Sequence, residues 1–293
     1  MFTQFFGNYL LNKGLVSPEH LSSAMQQQKT TRLKLGVLAI NAGLMTAEQV
    51  DKVHAEQQRV DKRIGDLMVE MGYLTREQVE ELFKTQPSGH LLLGQALVDN
   101  GYMTNTQFEN ALLSYKNENG ISDADFYDND SEQTKQLIAN FYKFGESENV
   151  KYFTGYLSLL FKNLIRFIGD DFTPLEAQVI GNETIAGCIG QRITGGFSAI
   201  TVIDADEFTS VEFASRFANE RLTTNDEYAQ ACISEFLNLH NGLFAVNVSN
   251  EDGVELKLEP QAYYNELTLD EIGGAYVISV CFSFGTVNFV INM

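Results

Sequence analysis

The sequence predicts an α+β protein in two parts: an all-α array of four helical-hairpin repeats of 29 residues, then an α+β domain whose antiparallel-rich sheet is packed by helices. Two observations predict it. Glycines recur at Gly7, Gly36, Gly65 and Gly94, each followed seven positions later by another at Gly14, Gly43, Gly72 and Gly101. After Pro174, helical spacing of apolar residues gives way to runs such as GCIGQRITG, FSAITVIDA, AYVISVCFSF and TVNFVIN, which read as strands.

The repeats read FGNYLLNKGLVSPEHL, LGVLAINAGLMTAEQV, IGDLMVEMGYLTREQV and LGQALVDNGYMTNTQF. The second glycine of each pair ends a short apolar helix, where the chain needs the left-handed conformation that glycine adopts at little cost. Ser17, Thr46, Thr75 and Thr104 then stand as N-caps of a second helix. Gln49, Gln78 and Gln107 lie three residues on, as a capping box requires, with His20 there in the first repeat. Apolar pairs bracket each cap as a hydrophobic staple: Val16 with Leu21, Met45 with Val50, Leu74 with Val79 and Met103 with Phe108. One such hairpin cannot bury its own apolar face, so neighbours must pack together.

The stretch NENGISDADFYDND, residues 117–130, lacks an apolar stripe and reads as an acidic linker or extended loop. It lacks the Gly and Glu placement of an EF-hand calcium loop. Helical spacing returns over 131–144 and 150–168, so one helix is expected to bridge the parts. The expected division is 1–116 for the repeats, 117–149 for linker and bridging helix, and 150–293 for the second domain. Within that domain the order is a helix, two strands turning at Thr194-Gly195-Gly196, two helices, and three closing strands that begin with VELKLEP.

Composition narrows the function. A net charge of −19 opposes binding to nucleic acid polymers or anionic lipid, which rests on Lys and Arg, and favours partners with exposed basic groups. No apolar run approaches the roughly 20 residues that span a bilayer, and the N-terminus lacks the layout of a secretory signal. A cytoplasmic location is expected, with no membrane insertion. Cys188, Cys232 and Cys281 suit buried thiols in a reducing compartment, and the four histidines have no metal-ligand spacing, so no metal site of its own is expected.

One helix, NDEYAQACISEFLNLHNGLF, carries the functional signal. Wound at 3.6 residues per turn, it places Ala229, Cys232, Ile233, Phe236, Leu239, His240 and Leu243 on one stripe suited to the core. On roughly the opposite side Ala231, Glu235, Asn238 and Gly242 form one column. Two polar groups flanked by two residues with almost no side chain make a face that another protein can approach closely. Glu146 and Asn149 repeat the Glu-x-x-Asn spacing without the flanking pattern.

Glu235-Phe-Leu-Asn238 with Gly242 four residues on resembles the Glu-x-x-Asn signature of the CheX/CheC family of chemotaxis phosphatases, and the element order over 150–293 is similar too. The resemblance implies hydrolysis of the aspartyl phosphate of a CheY-like receiver domain in bacterial chemotaxis or related two-component signalling. It implies that Asn238 orients the attacking water and that Glu235 pairs with a basic residue of the receiver, while by their small size Ala231 and Gly242 leave room for docking. The Mg2+ would belong to the receiver. The same resemblance implies a homodimer. A non-catalytic signalling adaptor is the alternative.

The repeats resemble the MshEN, or GspE N-terminal, domain of type II secretion and pilus ATPases, whose best local match is Arg63-Ile64-Gly65-Asp66-Leu67 through Gly72 to Gln78. That resemblance implies cyclic di-GMP binding through Arg63, Ile64, Gly65, Leu67 and Gly72. Lys34, Leu92 and Phe5 replace the arginine in the other copies, and glycines serving only helix packing and capping remain the competing reading.

Overall fold

The computed structural model of the protein describes residues 2–28, 30–84, 89–120, 132–142, 144, 149–181, 183–268 and 275–293. The described residues divide into two compact units, one ending at residue 120 and the other beginning at residue 132. Residues 121–131, which include most of the expected linker, and Glu146 lie outside the described residues. No helix among the described residues is long and apolar enough to cross a membrane.

Among the described residues the first unit contains eight helices in four hairpins: α1 Phe2–Asn12 with α2 Pro18–Gln28, α3 Leu35–Asn41 with α4 Ala47–Gln57, α5 Ile64–Glu70 with α6 Arg76–Lys84, and α7 Gly89–Asp99 with α8 Asn105–Asn119. Gly14, Gly43, Gly72 and Gly101 all take positive φ, between 64° and 75°. In each case the glycine N–H and the next N–H close back on the helix, for example Gly43 N to Ile40 O and Leu44 N to Ala39 O, both 3.0 Å. This is the Schellman stop, repeated four times. Thr46, Thr75 and Thr104 each exchange hydrogen bonds with the glutamine three residues on, and Ser17 accepts from His20 N at 3.2 Å. The first glycine of a pair serves close packing instead, since a Cβ at Gly36, Gly65 or Gly94 would come within 2.6, 3.1 or 2.1 Å of Val50, Val79 or Phe108. The staple residue of the second helix thus seats directly on the backbone of the first.

In the second unit α9 (Glu132–Tyr142) packs on α10 (Val150–Phe167), and four strands follow: β1 Phe172–Pro174, β2 Gln178–Ile180, β3 Thr184–Gly195 and β4 Ala199–Asp204. Two helices, α11 Glu207–Ala218 and α12 Glu227–Asp252, lead to β5 Leu256–Leu258, β6 Ala262–Thr268, β7 Ala275–Phe282 and β8 Gly285–Asn292. The strands form one antiparallel sheet in the order β1-β7-β8-β4-β3-β5, with β2 beside β7 and β6 beside β3. The register sets Gln191 opposite Thr201, and Thr201 opposite Ile291. Because side chains alternate across a strand, these face the helices, while Ile200, Val202, Cys188 and Val290 cluster on the other face.

The α+β class and the antiparallel sheet agree with the expectation, but the count of strands does not. β1, β2 and β6 were not expected. β1 and β2 are three residues each, too short for any periodicity, and exist through their pairing with β7. VELKLEP yields only β5, because Pro260 has no N–H to extend the ladder, and β6 resumes after it along the other half of β3. Helix α12 runs to Asp252 rather than ending near Phe244: Val248 is buried, and Gly253, at φ 68°, supplies the stop.

Candidate functional site

Helix α12 starts where Asp226 accepts from the backbone N–H groups of Tyr228 and Ala229 at 3.1 Å each. It lies against α10, α11 and strands β3, β4 and β5. Its buried residues are Ala229, Cys232, Ile233, Phe236, Leu237, His240, Asn241, Phe244 and Val248. Phe236 meets Phe213 and Phe217 of α11 edge-on at 5.1 and 5.7 Å. This corrects the expected stripe at two positions: Leu239 is only half-buried and Leu243 is 40% exposed. With about 100° between successive residues, the arc closed by the sheet and α10 centres on Phe236, Leu237, His240 and Phe244. Leu239 and Leu243 fall at its edge, and Leu237, Asn241 and Phe244 take the places beneath.

Diametrically opposite that arc stand Ala231 and Glu235, both exposed, and Asn238 and Gly242, both half-buried. The four therefore share the outward side of one helix. A Cβ at Gly242 would meet only Leu258, at 3.9 Å, so the space over it is open. Along one flank of this column run Leu239, Leu243 and Val246, the last 55% exposed, which gives the polar pair an apolar border.

The other flank holds a polar network that the residue pattern did not single out. Asn238 Oδ1 accepts from Gln191 Nε2 at 3.1 Å, and the same nitrogen donates to the Glu259 carbonyl at 2.9 Å. Gln191 Oε1 accepts from Asn241 Nδ2 at 2.8 Å, Asn241 Nδ2 also donates to Thr201 Oγ1 at 2.8 Å, and Tyr156 donates to Asn241 Oδ1 at 3.0 Å. Burial raises the Tyr156 hydroxyl pKa well above its usual value, so it remains a donor. The one signal in the sequence was an amide inside the apolar strand GCIGQRITG and another next to His240.

His240 is fully buried, in edge-to-face contact with Tyr156 at 4.3 Å, with Nδ1 3.1 Å from Asn163 Nδ2. It points away from the column and does not reach the outward face. Burial pushes its pKa from 6.5 down to about 3. Above pH 6.5 it is neutral in folded and unfolded chains alike; between 6.5 and 3 the unfolded chain takes a proton that the folded chain refuses. Stability therefore falls with acidification across that window, by about 1.4 kcal/mol per pH unit for one such group. His240→Gln flattens the slope by about one proton in urea titrations of the second unit between about pH 7 and 4. An unchanged slope would show that His240 accepts the proton while folded.

The repeat residues are placed differently. Arg63 is the exposed residue preceding α5 and makes no side-chain capping bond. Ile64 is half-buried, Leu67 is buried, Gly65 lies under Val79 and Leu35, and Gly72 forms the left-handed stop of α5. Each of the last three has a packing or turn role.

No protein-family model matches the chain, and no curated protein matches it. Solved structures with a similar fold include a CheC-like superfamily protein from Shewanella sp. PV-4, with 16% identity over 49% of this chain and 97% of that one, at a TM-score of 0.43. The chemotaxis protein CheX from Vibrio vulnificus matches with 15% identity over 48% of this chain and 98% of its own, at a TM-score of 0.42. CheX in a complex with CheY, BeF3 and Mg2+ from Borrelia burgdorferi matches with 17% identity over 48% and 96%, at a TM-score of 0.40. The likeness spans about half of this chain.

Proposed function

We propose that the unit containing α12 docks on the phosphorylated receiver domain of a response regulator and hydrolyses its aspartyl phosphate. The observation that carries the reading is that exposed Glu235 and half-buried Asn238 share the side of α12 away from its buried arc, beside Gly242 with open space above it. An acyl phosphate needs little covalent help. Placing a water in line with the P–O bond and stabilising charge supplies most of the acceleration. Water attacks phosphorus, the bond to the aspartyl oxygen breaks, and carboxylate and inorganic phosphate leave.

Asn238 is suited to hold that water, since an amide both donates and accepts. Glu235 is placed to meet a cationic side chain of the receiver, and the border of Leu239, Leu243 and Val246 supplies apolar contact. Mg2+ would be carried by the receiver, where it offsets charge on the phosphoryl oxygens. The helical hairpins of the first unit would act as a docking or regulatory part.

The test is the decay of a panel of phosphorylated receiver domains with and without the protein. Acceleration of at least one receiver is expected. Binding without acceleration would convert the reading to an adaptor, and neither binding nor acceleration across the panel would remove it.

A further inference from the structure

Gln191 is 1% exposed and sits in β3 beneath the flank of α12. Its surroundings leave its carboxamide only one orientation. The Glu259 backbone carbonyl can accept but not donate, so the group facing it at 2.9 Å must be the NH2. The far end is set independently: Thr201 Oγ1 gives its one proton to the Gln191 backbone carbonyl at 3.4 Å, so it must accept from the Asn241 NH2, which also reaches Gln191 Oε1. Gln191 therefore offers Asn238 a donor, 3.1 Å away, and Asn238 must answer with its carbonyl oxygen. Its own NH2 has no partner among the described residues.

We propose that Gln191 is the positioning residue of this site: it locks Asn238 with its NH2 outward, so that the site recognises a group made of hydrogen-bond acceptors. Phosphoryl oxygens and the lone pair of an incoming water have that character. One lone pair of Asn238 Oδ1 remains for a water proton, because the other is taken by Gln191. This assignment of acceptor chemistry rests on the phosphatase reading, whereas the lock itself can be measured with no receiver present.

In the full chain labelled with 15N at Asn and Gln side chains, the Asn238 amide is identified by its loss in Asn238→Asp. Wild type is expected to show Gln191 amide protons exchanging at least about tenfold more slowly than those of Asn238. In Gln191→Met the Asn238 amide gains mobility and its resonances shift. If the methionine variant does not fold, the wild-type comparison decides alone: Gln191 amide protons that exchange as fast as those of Asn238 overturn the lock. Unchanged Asn238 exchange and shifts in a folded variant would overturn the lock.

With a receiver that wild type dephosphorylates, Gln191→Met lowers kcat by about 10- to 100-fold at unchanged KM. It has no further effect in an Asn238→Ala background. Losses that multiply in the double variant would overturn the positioning role. If wild type accelerates no receiver, the phosphatase reading fails, and the amide exchange still decides whether the lock exists.

Discussion

Arg216→Ala is expected to lower the unfolding free energy of the second unit by about 3 to 5 kcal/mol, the cost of removing one member of a buried ion pair. Arg216 and Asp171 are 12% and 8% exposed at their side chains and meet through two parallel contacts of 2.7 and 3.1 Å. The guanidinium also donates to the Ile168 carbonyl and to Ser283 Oγ, each at 3.3 Å, and lies over the Phe284 ring at 4.3 Å. Ser283 in turn donates to Asp171. One side chain of α11 thus ties the end of α10 to the β7–β8 turn. Gly169, at φ 134°, follows α10 with no Cβ, and one built there would fall 2.8 Å from Asp171 Oδ1.

Removing the arginine takes two charge-assisted hydrogen bonds from the buried Asp171 carboxylate. At about 2 to 4 °C per kcal/mol for a unit of this size, the melting temperature falls on the order of 10 °C. Arg216→Lys keeps the charge but loses the fork, so it recovers only part of the loss. Adding Asp171→Asn to Arg216→Ala recovers part as well, because a buried charge is then removed. Urea unfolding measures all three. A loss under about 1 kcal/mol for Arg216→Ala would mean that the pair behaves like an exposed one.

The second large effect concerns activity. With a receiver that the protein dephosphorylates, Asn238→Ala is expected to reduce kcat by about 100-fold or more, as for removal of one preorganised donor at a reacting centre, with KM little changed. Glu235→Ala should act on encounter instead. As an exposed charge outside the core of the helix, it changes association, so kcat/KM falls most at low ionic strength and the salt dependence weakens. Stopped decay of the phosphoprotein at two salt concentrations separates the two. If both variants match wild type, these side chains have no part in the reaction.

The column on α12 was legible because it is a local property: four residues at offsets of four, three and four share a side wherever the helix lies. Its polar support was not legible. Gln191 and Asn241 are 50 positions apart and Gln191 and Glu259 are 68 apart, and no spacing rule reaches that far. The edge of the buried arc was missed for a related reason. Leu239 and Leu243 fit a helical stripe as well as Leu237 and Phe244 do, and only the directions from which α10, α11 and the sheet approach choose between them.

What the amino-acid order settled by itself is everything closed within one turn or one hairpin. The glycine stops, the threonine and glutamine caps and the outward grouping of Glu235 with Asn238 all follow from contacts three or four residues apart and from the backbone freedom of glycine. Tertiary structure alone decided the pairing of β1, β2 and β6, the Arg216–Asp171 tie and the amide chain behind Asn238. These depend on register between distant strands and on which polar groups lose water together, and such energies exist only once the chain has closed on itself.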